Sequence, residues 1–453
     1  MKKFMSLLLI AVLMLAMVAC GSDESDAPVA EATTSAGENT PEETEAPEVE
    51  SIEATISVQV ESSWLEYYQA AADRVKAAHP NATINFIETG SFDHLDVLDS
   101  TDVTNPDVAD VFALPADRIY GLSQNEVLAS LDALTMAANI GGFDNYDAGL
   151  GGNFNINGDY LAFPMNIETL INFANSANAE TAGVDLSQTI EFTELDKEGM
   201  LIPVFDAWFG VAVANSAQIE FLGMNEDGTL YSDLTEDFAN LPAEKQGVFT
   251  ALFNYWSAHN EAGTSLWDAD AAWGYMDTEF STGGNNVVRL EGPWSTGSLS
   301  NLAGEGADLE ILPINQVTVN GLPLAHWKGG WGLGVNARVE GNDDQMALAT
   351  AMIEEIMNTE YAVDFFNATG KIMENVDASV YMNSDMNETD KLVVEAVIES
   401  YQDAPARPLF TEWGSVWDTW KNGMLSWSAV QPTTVEEAYA EVQASFKAMM
   451  LNF

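Results

Sequence analysis

Alternation and helical spacing divide the chain into a regular order of elements. Apolar residues at every second position of 54–60 (Ile56, Val58 and Val60) predict a strand. The next apolar stripe, Leu65, Tyr68, Ala72 and Val75, recurs at three- and four-residue intervals. It predicts a helix stopped by His79-Pro80-Asn81. Ile84 and Phe86 mark a second strand, a short helical stretch follows near 92–98, and 108–114 reads as a third strand. Strand, helix, strand, helix, strand is the order of an α/β unit with a parallel sheet. Asn157-Gly158 is a hairpin-type turn leading into an apolar strand at 160–163. Asp227-Gly228 gives a second hairpin signal, in an acidic stretch that lacks the ligand spacing of a calcium loop. Gly149-Leu-Gly-Gly152 reads as a loop. Later segments alternate again: helical at 248–256 and on to Phe280, extended at 286–290 and 309–312, then helical at 347–357, 392–401, 412–428 and 435–450.

The N-terminus stands apart from this pattern. Lys2 and Lys3 precede an apolar run at 4–18. That run falls short of the roughly 20 residues of a membrane span and fits a secretory signal peptide, 1–19. It ends in Leu15-Ala16-Met17-Val18-Ala19-Cys20, which resembles a bacterial lipobox, and Cys20 is the only cysteine of the chain. The resemblance implies a diacylglyceryl group on Cys20, and two acyl chains make a stable anchor. From 21 to 53 the chain is rich in Glu, Asp, Ala, Ser, Thr and Pro, without Lys or Arg. It cannot bury enough apolar surface to order itself, and 20–53 is expected to act as an acidic, disordered tether. About 400 residues remain, enough for two lobes. With 71 acids against 15 bases and a net charge of −56, nucleic acid is excluded as a partner, because its phosphates are bound through Lys and Arg. The acids are spread along the whole chain and read as a solvated, solubilising surface.

Five stretches together carry a family resemblance. They are Asp107–Arg118, ending in Ala-Asp-Arg; Gly158-Asp-Tyr-Leu-Ala-Phe-Pro164 with Glu168; Phe280 through Gly292-Pro293-Trp294; Gly329-Gly-Trp-Gly-Leu-Gly-Val-Asn336; and Trp417, Lys421 and Val435-Glu436-Glu437-Ala438. Their order and spacing over nearly all of 54–450 resemble the extracellular solute-binding proteins of ABC importers, in the branch of the maltose/maltodextrin-binding proteins. The resemblance implies an α/β, two-lobe periplasmic-binding-protein-like fold with a hinge. Lobe one is expected at 54–165 and again at 313–366, lobe two at 166–312 and 367–453.

It also implies a sugar-binding cleft. Sugars offer apolar C–H faces to aromatic rings and hydroxyls to carboxylates, amides and Arg. Carried over residue by residue, Glu61, Ser63 and Trp64 line the lobe-one wall, Asp117 and Arg118 hold hydroxyls, and Glu168 points a carboxylate inward. Asp206 and Trp208 supply an acid and an aromatic, Trp294 and Trp417 stack on rings, and Lys421 supplies a cation. Trp413 and Trp420 are expected in the core. The chain departs from the branch at Ala113 and Leu114, where an aromatic is usual, and at Glu61-Ser62-Ser63-Trp64, where the branch has an amide, an acid and a Lys. The expected ligand is an oligosaccharide of maltodextrin type. The expected partners are membrane permease subunits with a separate ATPase subunit, the chain's only hold on the membrane being its lipid at the outer face.

The sequence argues against catalysis. His79, His94, His259 and His326 are scattered without HExxH or other metal spacing, and there is no G-x-S-x-G elbow and no P-loop. No cofactor or metal is expected. Two other readings remain at this stage, a binding protein for a cationic ligand such as a polyamine and a surface adhesin. Acids and Trp also suit ammonium groups.

Overall fold

The computed structural model describes residues 51–453 apart from Asp144 and Glu226. The expected signal peptide, Cys20 and the tether as far as residue 50 lie outside the described residues. Two β-sheets organise the rest. The first runs Thr83–Glu88, Thr55–Val60, Val111–Pro115, Gly329–Val335, Ala162–Glu168. Its first three strands are parallel and the returning Gly-rich strand is antiparallel to both of its neighbours. The second runs Leu309–Leu312, Ile171–Asn175, Val288–Glu291, Met200–Leu201. Each sheet with its helices makes one lobe.

Both faces of the first sheet are covered. On Val111–Pro115, Val111 and Ala113 join one buried cluster while Phe112 and Leu114 join another on the opposite face. A strand buried on both sides shows a continuous apolar run, as 111–114 does. Helix Leu65–Ala78 packs its Tyr67, Tyr68, Ala71, Ala72 and Val75 inward and ends at His79, as its stripe predicts. The Asn157-Gly158 turn forms with φ of 58° and 103°, joining Asn155–Ile156 to Asp159–Tyr160. The Asp227-Gly228 signal likewise joins two short paired strands. Helix Val435–Met449 begins with a reciprocal cap: Thr434 Oγ1 accepts from the Glu437 amide, and the Glu437 carboxylate accepts from the Thr433 amide.

The second lobe is held by large aromatics. Trp420, Trp427, Tyr439, Phe205 and Phe446 form its centre with helix Ala243–Ala262. Trp420 is fully buried and donates to Val204 O at 2.7 Å; Trp413 is 5% exposed, so both occupy the expected core.

Three expectations change. The Gly149–Gly152 run is not a plain loop; Leu150–Asn153 is a single helical turn, with Leu150 lying against the Gly-rich return strand. The return to lobe one was expected from 313, but Ile314, Val317, Val319, Leu324 and Trp327 pack into the lobe-two core. Val317–Val319 pairs there with Ile190–Glu191, and the return begins only at Gly329. Residues from 367 were expected in lobe two, yet Ile372 bridges to Ile167 of the first sheet, and Ile372, Met373, Tyr381, Val393 and Val397 join a buried cluster that holds Val58 and Leu333 of the first sheet together with Ile171, Phe173 and Ile311 of the second. Helix Glu388–Gln402 lies behind both sheets at the crossover, touching strands of each. From Trp413 on, the buried hydrophobic residues belong to the second lobe's core.

Candidate functional site

The strand ends of both lobes face a shared cavity of about 560 Å³. Its lobe-one wall is built where strands stop. Thr55–Val60 ends at Glu61, whose Oε1 accepts from Ser91 Oγ at 2.7 Å. Val111–Pro115 runs into the turn Ala116–Arg118, which presents Asp117 and Arg118. These two do not pair with each other. Asp117 Oδ2 binds Arg407 Nη2 at 2.7 Å, and Arg118 is paired with Asp99. Glu168, the last residue of its strand, is buried and accepts from Trp331 Nε1 at 3.1 Å.

The facing wall is aromatic. Asp206 caps helix Ala207–Ser216 by accepting from the Trp208 amide, and this fixes Trp208 at the helix start. The Trp208 ring lies 6.4 Å from Trp294, 6.1 Å from Trp327 and 4.3 Å from the His326 ring. Trp417 stands edge-on to Trp413 at 4.8 Å. Trp294 is 51% exposed, unusual for an indole within a cleft wall. Its ring is laid over the Gly292 backbone, where a Cβ would stand 2.1 Å from the indole. That close approach explains the glycine of Gly-Pro-Trp.

The cavity thus gathers Glu61, Asp117, Arg118, Glu168, Trp208, Trp294 and Trp417 from the sequence expectation. Ser63 and Trp64 line an adjoining space instead. Asp206 and Lys421 line neither. The Asp206 carboxyl is occupied as a helix cap, and burial raises its pKa, opposed by the Trp208 amide and the Lys421 charge. Lys421 is exposed and serves that carboxylate from a distance.

Five lining residues went unread in the sequence: Phe92, Pro115, Trp331, Lys371 and Arg407. Trp331 interrupts the Gly-rich return strand and packs edge-on to Phe92 at 5.2 Å. Lys371 Nζ lies 4.8 Å from the Trp331 centroid and 5.5 Å from that of Trp64. Burial lowers its pKa, and the charges of Glu168 and Glu61 oppose that shift. Arg407 is half-buried with its side chain turned inward, its Cζ 5.1 Å from the Trp208 centroid and 5.5 Å from that of Trp327. Scarcity was the available signal, since only 15 bases exist in the chain and three of them meet here.

Two buried polar atoms of the wall have no hydrogen-bond partner among the described residues, Asp117 Oδ1, an acceptor, and Trp208 Nε1, a donor. Buried polar groups are otherwise almost always paired. A ligand bearing hydroxyls supplies what both lack, because a hydroxyl both donates and accepts.

His326 sits behind Trp208 and does not face the cavity. Its Nε2 lies 3.0 Å from Trp208 O, and burial, with the Arg407 charge, lowers its pKa to about 3. Its neutral form contributes stability that is complete above the ordinary value near 6.5 and lost as pH falls toward about 3. Between about pH 7.5 and about pH 5.5 the wild type is expected to lose about 1.4 kcal/mol relative to His326→Gln. Urea unfolding of the two proteins at both pH values checks this, and parallel pH dependence would refute it.

With the geometry in place, the class is defined by fold: this is the two-lobe α/β fold of bacterial solute-binding proteins, of the maltose- and maltodextrin-binding kind. Among solved structures it is similar to the maltose-binding periplasmic protein MalE from Listeria monocytogenes in complex with maltose, with TM-score 0.66 and 18% identity over 88% of this chain and 99% of that one. MalX from Streptococcus pneumoniae, in complex with maltopentaose, matches with TM-score 0.65 and 16% identity over 87% and 99%. The GacH receptor of Streptomyces glaucescens, solved unliganded and with acarbose, matches with TM-score 0.63 and 16% identity over 88% and 99%. At such identities the likeness is one of fold. No protein-family model and no curated protein matches the sequence.

Proposed function

We propose that this chain is the ligand-capturing subunit of a carbohydrate ABC importer, binding an oligosaccharide between its lobes and presenting it to membrane permease subunits. The observation that carries this reading is the cavity itself. Indoles from both lobes offer flat apolar faces, and Asp117 Oδ1 and Trp208 Nε1 are left for hydroxyls. Similar folds solved with maltose, maltopentaose and acarbose support the ligand class. A polycation fits less well: Arg407 neutralises Asp117, and Lys371 stands within the field of Glu61 and Glu168. The reading is of a receptor and not an enzyme, so sugars incubated with it should be recovered unchanged.

The test is calorimetry with maltotriose and with spermidine, backed by a glycan panel read by thermal shift, since a ligand that binds only the folded state raises its stability. Binding of spermidine but of no sugar would overturn the reading. Anchoring at the outer face is part of the same proposal and rests on Cys20 and its lipobox-like context. Cys20→Ala is expected to move the protein from the membrane fraction to the soluble one, and its retention in the membrane would exclude the lipid anchor.

A further inference from the structure

An interior strand of the second lobe's sheet, Val288–Glu291, carries a buried ion pair. We infer that Arg289, Glu291 and Ser295 are positioning residues: together they clamp the Gly-Pro-Trp turn, so that Trp294 meets the ligand with its indole already in place. This rests on the carbohydrate reading above and adds to it what sets the orientation of the stacking ring.

Val288 and Leu290 pack into the apolar core of the lobe. Arg289 and Glu291, two residues apart, share the other face of the strand, opposite Phe173 and Ile171 of its neighbour. Both are 3% exposed. Arg289 Nη2 donates to Glu291 Oε1 at 3.0 Å, and its Nη1 donates to Asp277 of helix Ala272–Phe280. The same face holds a buried apolar cluster with Ile171, Phe173, Phe280 and Leu299, so the two charges stand among apolar neighbours. Burial raises the pKa of the Glu291 carboxyl, opposed by the Arg289 charge and by hydrogen bonds from Arg289, Ser295 and the Gly292 amide. A buried ion pair adds little stability beyond what well-packed apolar side chains of similar size supply. Stability alone therefore does not account for this one.

What the pair does hold is the turn that follows. Glu291 Oε2 accepts from Ser295 Oγ at 3.3 Å, so one carboxylate brackets residues 292–294 from both ends. Inside the bracket the Ser295 amide donates to Gly292 O at 3.0 Å, and Thr296 Oγ1 donates to Pro293 O at 2.7 Å. Trp294 has no comparable support from a core. It is half exposed, its ring rests on Gly292 of its own turn, and the Trp208 ring stands 6.4 Å away. The turn therefore sets the angle of the indole. A loose indole would have to be ordered as the ligand binds, and ordering a side chain on binding costs affinity.

Two variants separate positioning from plain stability. Ser295→Ala removes one hydroxyl from a half-buried site. Arg289→Met combined with Glu291→Met replaces the pair by apolar side chains and leaves Asp277, whose side chain is 52% exposed, to water. The urea midpoint of this combined variant should equal or exceed that of wild type. In both variants maltotriose is expected to bind roughly three- to tenfold more weakly by calorimetry. Placed on Trp294→Ala, either change should cost no further affinity, because it acts through that ring. The ring itself is read without ligand by fluorine NMR of protein labelled with fluorotryptophan, the Trp294 line being assigned by its loss in Trp294→Phe. Both variants should broaden or split that line and leave the other indole lines in place.

A Trp294 line that stays sharp and unmoved overturns the inference, as does unchanged maltotriose affinity. An affinity loss that persists in full on Trp294→Ala would place the effect elsewhere and overturn it too, and a lowered urea midpoint in the combined variant would make the pair structural. If the combined variant does not fold, the same readings on Ser295→Ala decide. If no sugar binds the folded wild type, the carbohydrate reading falls, while the Trp294 line still decides whether the bracket seats the indole.

Discussion

Arg407→Met is expected to destabilise the folded protein by about 2–4 kcal/mol and to abolish tight ligand binding with it. Arg407 is 7% exposed at its side chain and Asp117 22%, with 2.7 Å between them. Removing the guanidinium leaves the Asp117 carboxylate without its counter-charge, its Oδ1 already lacking a hydrogen-bond partner. An uncompensated carboxylate in a low-dielectric wall is costly, and the partial exposure of Asp117 keeps the loss below that of a fully buried pair. The same guanidinium lies near the faces of Trp208 and Trp327, so its loss also frees two indoles of the second lobe. One side chain thus ties a turn of the first lobe to aromatics of the second. Arg407→Lys should not restore the protein, because an ammonium lacks the planar fork that pairs and stacks together. Asp117→Asn placed on Arg407→Met should recover part of the stability, since the stranded charge is gone. Chemical denaturation and calorimetry on the three variants decide it; unchanged stability and affinity in Arg407→Met would show the pair to be incidental.

Arg407 also shows where the sequence ceases to be readable. Its partner Asp117 lies 290 residues away, and nothing local distinguishes this Arg, which stands before Pro408, from a solvated loop cation. Lys371 is similar: its character comes from Trp64 and Trp331, brought to it by the returning strand and by the turn after the first strand. Residues carried over from the family resemblance fared differently. Trp208, Trp294 and Trp417 all reach the cavity. Asp206 and Lys421 do not, because the cap of helix Ala207–Ser216 occupies the acid and leaves the cation outside.

The fold divides along the same line. Helices with one apolar stripe, such as Leu65–Ala78 and Val435–Met449, were legible because one face meets water. Helix Ala207–Ser216 was not, since Phe209 to Ala214 are all buried and leave no stripe to read. The late return to lobe one was hidden as well. Strand Val317–Val319 is three residues long, and its apolar pattern does not reveal that its partner is Ile190–Glu191 of the second lobe.

Trp294→Ala is expected to weaken ligand binding five- to hundredfold while leaving the fold intact. The indole is half exposed, so its removal opens no cavity in either core. On the proposed reading, what is lost is a stacking surface for sugar, on the order of 1–3 kcal/mol, at about 1.4 kcal/mol per decade of affinity. Gly292→Ala tests the same surface from beneath. Its methyl group would stand 2.1 Å from the indole, so the ring must leave its seat. Affinity should fall in the same direction, and the double variant should bind no more weakly than Trp294→Ala alone, because both changes act through one ring. On the proposed reading the ring is also expected to matter for closure. A ligand touching Asp117 in one lobe and Trp208, Trp294 and Trp417 in the other binds a closed arrangement better than an open one. That difference in affinity is what shifts the population between them. Small-angle scattering should therefore show the wild type compacting at saturation, and Trp294→Ala compacting only at higher ligand concentration. Affinity that is unchanged in a folded Trp294→Ala protein would assign the indole to packing, and saturation without compaction would exclude closure as the way the loaded state is signalled.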